Sequence, residues 1–287
     1  MRQGLLIFIS GLMVLYAVIL FRSVYSGREL MKREKGGFGF YAMLSTVVMF
    51  LSSFGVSDTA LTVFAFRANK CVEDRLLPGT IIASSILPVG TMSLAFLSSM
   101  EVDPATLAAC VVVQTLGAFL GVRLIMKLNG GMIRQIMGYA LIGTAMLIVI
   151  KLFFLTQSGA GSTGLSSWRL LVALLWFFVF GALNLVGLGA TVPNMAVLLL
   201  LGVDSRAVFP IVMTGNFISC CLAGFQYVLH ETYTRKAAAC SVFGVIGVLV
   251  AVLLVKTMNV RFLQVIMIGV LLFCACSMLR SPKQEQG

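Results

Sequence analysis

The stretch SSFGVSDTAL, residues 52–61, places a glycine, several hydroxyls and Asp58 inside an apolar segment. Of the ten acidic residues in the chain, Asp58 is the one set near the middle of a hydrophobic run. Two kinds of work are open to a carboxylate in that position. It can cap a helix, accepting from backbone N–H groups two or three residues on. It can also load a proton, or face a sodium ion, where little water reaches it. A second polar interruption, GLGAT at 187–191, is followed by Pro193 and Asn194. A helix restarting at Ser57–Asp58–Thr59, or near Thr191–Pro193, exposes unpaired N–H groups and the positive end of its dipole. Pro193 suits a first turn, where its missing N–H would be unpaired anyway. Two such ends facing each other would hold an anion without a buried lysine or arginine.

No basic residue sits mid-segment, so an anion site must be built from N–H groups, hydroxyls and amides. The candidates at the first break are Gly55, Ser57 and Thr59, and at the second Gly187, Gly189, Thr191 and Asn194, with Asn184 flanking it. The span after the first break supplies Ser84 and Ser85, beside Thr80. The span after the second supplies Thr214 and Asn216, beside Ser219. Any one of these hydroxyls could instead bond its own helix's carbonyls. Their recurrence at matching depth is the argument for a substrate site, with Asp58 as its proton-coupling candidate.

Enzyme chemistry finds little support. His230-Glu231 opens a string that continues HETYT, and the chain has one histidine, so zinc-protease spacing fails. No GxSxG elbow occurs. Seven cysteines include no CxxC pair and no Cys/His cluster. No metal and no cofactor is therefore expected, and the cysteines read as small apolar side chains.

These residues are carried by a membrane-class chain. Hydrophobic residues make up 60%, charged residues 11%, and mean hydropathy is +1.04; a soluble domain carries about 25% charge. The apolar runs have the length of about 17–25 residues that spans a bilayer, and they do not alternate as barrel strands would. The net charge of +11 comes from Lys and Arg in loops beside apolar segments. That pattern fits the positive-inside bias and not nucleic-acid binding. Met1–Phe21 resembles a signal peptide, but the Arg22–Lys35 basic flank predicts an uncleaved anchor.

Nine apolar segments lie at about 5–21, 38–66, 77–97, 104–126, 133–155, 169–201, 207–229, 237–255 and 262–279. Two of them, 38–66 and 169–201, are too long for one span, and each contains one of the polar breaks. Each reads as two pieces of roughly 10–16 residues, mostly too short to cross alone. If both turn back as re-entrant hairpins, fifteen Lys/Arg fall inside and six outside. If both cross, giving nine full spans, the split is eleven to ten. The bias favours seven spans plus two hairpins, with the N-terminus outside and the C-terminus inside.

The expected organisation is an all-α polytopic protein built as an inverted repeat. Residues 1–36 form an N-terminal anchor and basic loop, and 37–156 a first repeat of hairpin plus three spans. Residues 157–167 form a Gly/Ser linker suited to a flexible connection. The inverted second repeat covers 168–280, and a short cytoplasmic tail 281–287. An offset of 132 carries Gly55 onto Gly187, Thr59 onto Thr191 and Ser84 onto Asn216. Inverted repeats with interrupted helices are transporter architecture, with the substrate at the midplane. Broken helices also build channel filters, so an anion channel is the alternative.

The stretches FGVSDTALTVFAFRANKCVEDRLLPGT (54–80) and GLGATVPNMAVLLLLGVDSRAVFPIVMTGN (187–216) resemble the TauE/SafE sulfite exporter family of membrane permeases. MEVDPATL (100–107) and LGVDSRAVFPI (201–211) look similar to one branch of it. The resemblance covers about residues 38–279. It implies a bacterial inner-membrane permease that moves sulfite, sulfonates or related oxyanions. The chain departs from the family's glycine-rich, proline-containing break at Val56-Ser57-Asp58, and the second break keeps Pro193 without a triple glycine. The expected partners are a small anion, of the sulfur type or an unrelated organic one, and the bilayer; oligomeric state is not legible.

Overall fold

The computed structural model describes residues 2–54, 58–73, 76–125, 162–185 and 190–257. Within them the chain forms eleven helices and no strand; one lone parallel bridge pairs Ser162 with Val203. The helices are α1 (Arg2–Ser26), α2 (Arg28–Arg33), α3 (Phe38–Ser52), α4 (Asp58–Ala68), α5 (Leu77–Ser99) and α6 (Pro104–Ile125). They continue with α7 (Ser167–Leu185), α8 (Thr191–Leu200), α9 (Ser205–Leu229), α10 (Arg235–Ala239) and α11 (Ser241–Thr257). Among the described residues, four stretches are long and apolar enough to cross a bilayer: Gln3–Ser26, Leu77–Ser99, Ser205–Leu229 and Arg235–Leu254. The protein is an all-α membrane protein. The expected segments at 133–155 and 262–279 lie outside the described residues, apart from which 38–66 and 169–201 each break in two as predicted.

The outer helices show why. Phe8, Phe21, Phe119, Leu175 and Leu253 all point away from the core and are exposed. An apolar rim of this kind has lipid as its natural solvent. The centre is α5 against α9, both mostly buried and both carrying an internal proline, Pro88 and Pro210. Each proline removes one helical N–H, which is tolerable here because neighbouring helices enclose the site.

Around that centre, α6 packs on α7 and α9, while α11 packs on α3 and α5. The α6–α7 contact is backbone-close. A Cβ on Gly117 would collide with the Phe178 carbonyl, and one on Gly181 with the Gln114 carbonyl. Gly247 meets the Thr46 carbonyl of α3 in the same manner, and Thr46 Oγ1 donates to Phe243 O at 3.1 Å. Small residues let apolar helices approach where no hydrophobic drive separates lipid from protein. The first helix is docked and not merely an anchor. Tyr16 donates to Ala83 O at 2.9 Å, and Tyr233 to Ser23 Oγ at 2.8 Å.

Two expectations change. Helix α7 has 19 residues, about 28 Å at 1.5 Å per residue, longer than the expected half-helix. It starts at Ser167 and Trp168, ahead of the apolar run, and continues unbroken to Leu185. The described part of the linker, Ser162–Leu165, is pinned. Ser162 N donates to Gly202 O at 3.1 Å, Asp103 N to Thr163 O at 3.0 Å, and Asp204 N to Ser162 O at 2.9 Å. The small side chains that suggested flexibility instead let this backbone pair with two loops at once.

Candidate functional site

Helices α4 and α8 both start at the centre of the molecule. Asp58 stands in the first turn of α4 and Thr191 in that of α8. Between these two starts and the faces of α5 and α9 lies a narrow cavity of about 30 Å³, room for about one water molecule. Its polar lining is Ser52, Asp58, Thr59, Ser85, Asn184, Thr191, Asn216 and Cys220. Among the described residues no lysine or arginine lines it, and Asp58 is its one carboxyl group. Asp58 lines it together with Thr59 and Ser85, whose Oγ donates to Ile81 O of its own helix at 2.8 Å.

A buried chain of amides holds the α8 side. Gln114 Nε2 of α6 donates to Asn216 Oδ1 at 2.8 Å, and Asn216 Nδ2 donates to Thr191 Oγ1 at 2.8 Å. Gln114 and Asn216 are both buried, and Gln114 lies directly over Gly215, where a Cβ would strike its Oε1. Asn184, at the end of α7, accepts from Ala190 N at 3.2 Å and donates to Cys220 Sγ at 3.6 Å. One side chain therefore ties both arms of the second broken segment to α9.

Of the sequence candidates, Asp58, Thr59, Ser85, Thr191 and Asn216 come together in this cavity. Gly55, Ser57, Gly187 and Gly189 lie outside the described residues. Three others face elsewhere. Ser84 borders a separate crevice beside Tyr41, Ser45 and Thr62, and donates to Ile81 O at 3.0 Å. Thr214 is bonded to Ser93 across the α5–α9 interface at 2.8 Å. Asn194 is fully buried off the cavity, with no partner for its amide among the described residues. Sequence reasoning missed Ser52, Cys220 and Gln114. A lone amide within an apolar span was the available signal for Gln114.

Two fixed offsets in sequence relate several of the lining residues to one another. An offset of 132 carries Ser52 onto Asn184 and Thr59 onto Thr191. An offset of 131 carries Ile82 onto Met213, Ser85 onto Asn216 and Val89 onto Cys220. The second offset carries Ser85, and not Ser84, onto Asn216. Asp58 falls on Ala190, so the carboxylate has no counterpart.

A larger groove of about 1010 Å³ between α1 and α6 is mostly apolar and contains none of the predicted site residues. It offers volume without converging polar groups, so the small central cavity is the better candidate. No family model, curated protein or solved structure matches the chain.

Proposed function

We propose that the protein is a secondary transporter of the bacterial inner membrane that carries a small sulfur-containing oxyanion by alternating access, with Asp58 as the coupling group. The observation that carries this reading is the central cavity, where two helix starts, four hydroxyls and one carboxyl converge. The sulfite or sulfonate class rests on the resemblance of the two break regions to TauE/SafE permeases.

The charge balance explains the coupling. A charged Asp58 would repel an anion arriving beside it, and no basic side chain in the lining offsets it. Protonated, it becomes a donor. With the Thr59 and Thr191 hydroxyls and the positive end of α8, it would then hold an oxyanion once rocking of the two halves widens the cavity beyond its present one-water volume. One proton and one monoanion cross together without net charge.

Support for two inverted repeats comes from reciprocal packing. Exchanging α3 with α7, α4 with α8, α5 with α9 and α6 with α11 carries every contact among these helices named above onto another contact that exists: α6–α7 becomes α11–α3, and α5–α11 becomes α9–α6. The paired lining residues follow the same exchange. In this reading the basic ends lie inside, and the two halves rock about the α5–α9 centre.

The test is uptake of radiolabelled sulfite, sulfoacetate and thiosulfate into proteoliposomes under an imposed pH gradient. Saturable flux that responds to the gradient, and loses that response in Asp58→Asn, is expected. Folded protein that moves none of the three would end the sulfur-oxyanion reading; current in unitary steps would replace the carrier by a channel. A second reading has sodium in place of the proton, favoured by the oxygen-rich lining around Asp58. Flux that follows sodium at constant pH would select it.

A further inference from the structure

A second polar pocket, of about 580 Å³, opens at the end of the molecule where α2 and α4 finish and α5 and α10 begin. Four cations line it: Arg33, Lys35, Lys70 and Arg235. The acids beside them are largely committed. Both carboxylate oxygens of Glu34 accept from the backbone of α10, Oε1 from Arg235 N at 2.8 Å and Oε2 from Lys236 N at 2.7 Å. Glu231 Oε2 sits 2.9 Å from Arg235 Nη2. Glu73, the remaining acid, is exposed.

The cations are not balanced to the same degree. Arg33, Lys35 and Lys70 make no ion pair among the described residues and are exposed. The Arg235 side chain is 6% exposed, and its Nε, packed against Gly27, finds no acceptor there. A buried guanidinium with one flexible carboxylate partner is under-neutralised. Lys70 adds a conformational signal. It holds φ +48 in the turn that ends α4, where Cys71 N returns to Phe66 O at 3.3 Å. That turn position favours glycine, and a lysine there costs backbone energy. The cost places an ammonium at the pocket rim.

We propose that this pocket binds a phosphate-class oxyanion, presented either by an acidic lipid headgroup or by a soluble ion. Basic pockets between helix ends at a membrane surface suit such headgroups, and a guanidinium with lysines around it suits a tetrahedral oxyanion. The site is separate from the central cavity: the two share no lining residue. It does not depend on the transport reading.

The test uses the full chain in nanodiscs of phosphatidylcholine, titrated with phosphatidylglycerol in one arm and inorganic phosphate in the other, with the thermal unfolding midpoint as readout. The probing variant is Lys35→Gln/Lys70→Gly. Glycine suits the φ of residue 70, so the variant keeps its midpoint in neutral lipid while losing two charges. Its apparent affinity should fall roughly 30-fold, at about 1 kcal/mol per basic residue. Lys32→Gln, whose lysine pairs with Glu29 at 2.8 Å outside the pocket, should titrate like the parent. Should Lys35→Gln/Lys70→Gly fail to fold, Arg33→Gln/Lys35→Gln makes the same comparison. A midpoint rise with phosphatidylglycerol alone assigns the lipid source; a saturable rise with phosphate in neutral discs assigns the soluble ion. No rise with either probe, or equal titration by the charge-deleted variant, overturns the proposal.

Discussion

Asn216 joins three elements through one side chain, accepting from Gln114 and donating to Thr191. Replacing it by alanine leaves both partners unpaired in a buried place. The expected loss is about 1–3 kcal/mol of stability, read as a lower unfolding midpoint in detergent. Gln114→Leu should be milder than Asn216→Ala, because it strands one partner and not two. Asp103 offers a pH-dependent test outside the spans. Its Oδ2 accepts from Thr106 N at 2.8 Å and Thr106 Oγ1 at 2.6 Å, and these bonds hold its carboxyl below the ordinary 3.8. A group so depressed stabilises the fold above its unfolded value and loses that contribution as pH falls through the folded one. Unfolding followed from about pH 7 to about pH 3 should show a larger acid loss in the parent than in Asp103→Asn. At this scale the sequence reading named five residues that share the central cavity, but it could not choose between Ser84 and Ser85. Ser84 and Ser85 are adjacent, and a helix turns about 100° between neighbours. Which one faces the cavity beside Asn216 depended on how α5 is rotated against α9. A single sequence carries no direct signal for that rotation.

Among the elements, the breaks were legible because glycine and polar residues interrupt long apolar runs. The start of α7 was less so: the helix begins on Ser167, which composition assigns to the linker, and Trp168, which precedes the apolar run. The closeness of α6 to α7 was not legible either, since glycines in spans serve many roles. It supports a sharp comparison. Gly181→Ala drives a Cβ into the Gln114 carbonyl and should cost about 1–3 kcal/mol. Gly11→Ala, which meets nothing within 4 Å on α1, should be neutral or mildly stabilising. Unfolding midpoints of the two variants side by side provide the measurement. The Gln114 chain gives Gly181→Ala a second consequence, because any shift of α6 also moves the amide that holds Asn216.

For the whole molecule, the helical membrane class followed from composition, whereas the meeting of Asp58 with Thr191 and Asn216 is long-range packing. Sidedness is the next property to measure. Helix α5 runs from the basic end, at Lys70–Leu76, to the opposite end, at Glu101. Cysteines introduced at Lys70 and at Glu101 should react with an impermeant thiol reagent from opposite faces of sealed vesicles, Lys70→Cys from the cytoplasmic side; labelling of both from one face would refute this path for α5. One contact within the second broken segment has a practical use. Trp176 of α7 donates its indole N–H to Pro193 O of α8 at 3.1 Å and stacks on Phe180 at 4.7 Å between ring centroids. The chain's other tryptophan, Trp168, is exposed. Trp168→Phe would therefore leave a single tryptophan bridging the two arms, an optical gauge whose emission wavelength, excited selectively over the tyrosines, reports without any attached dye each time those arms part.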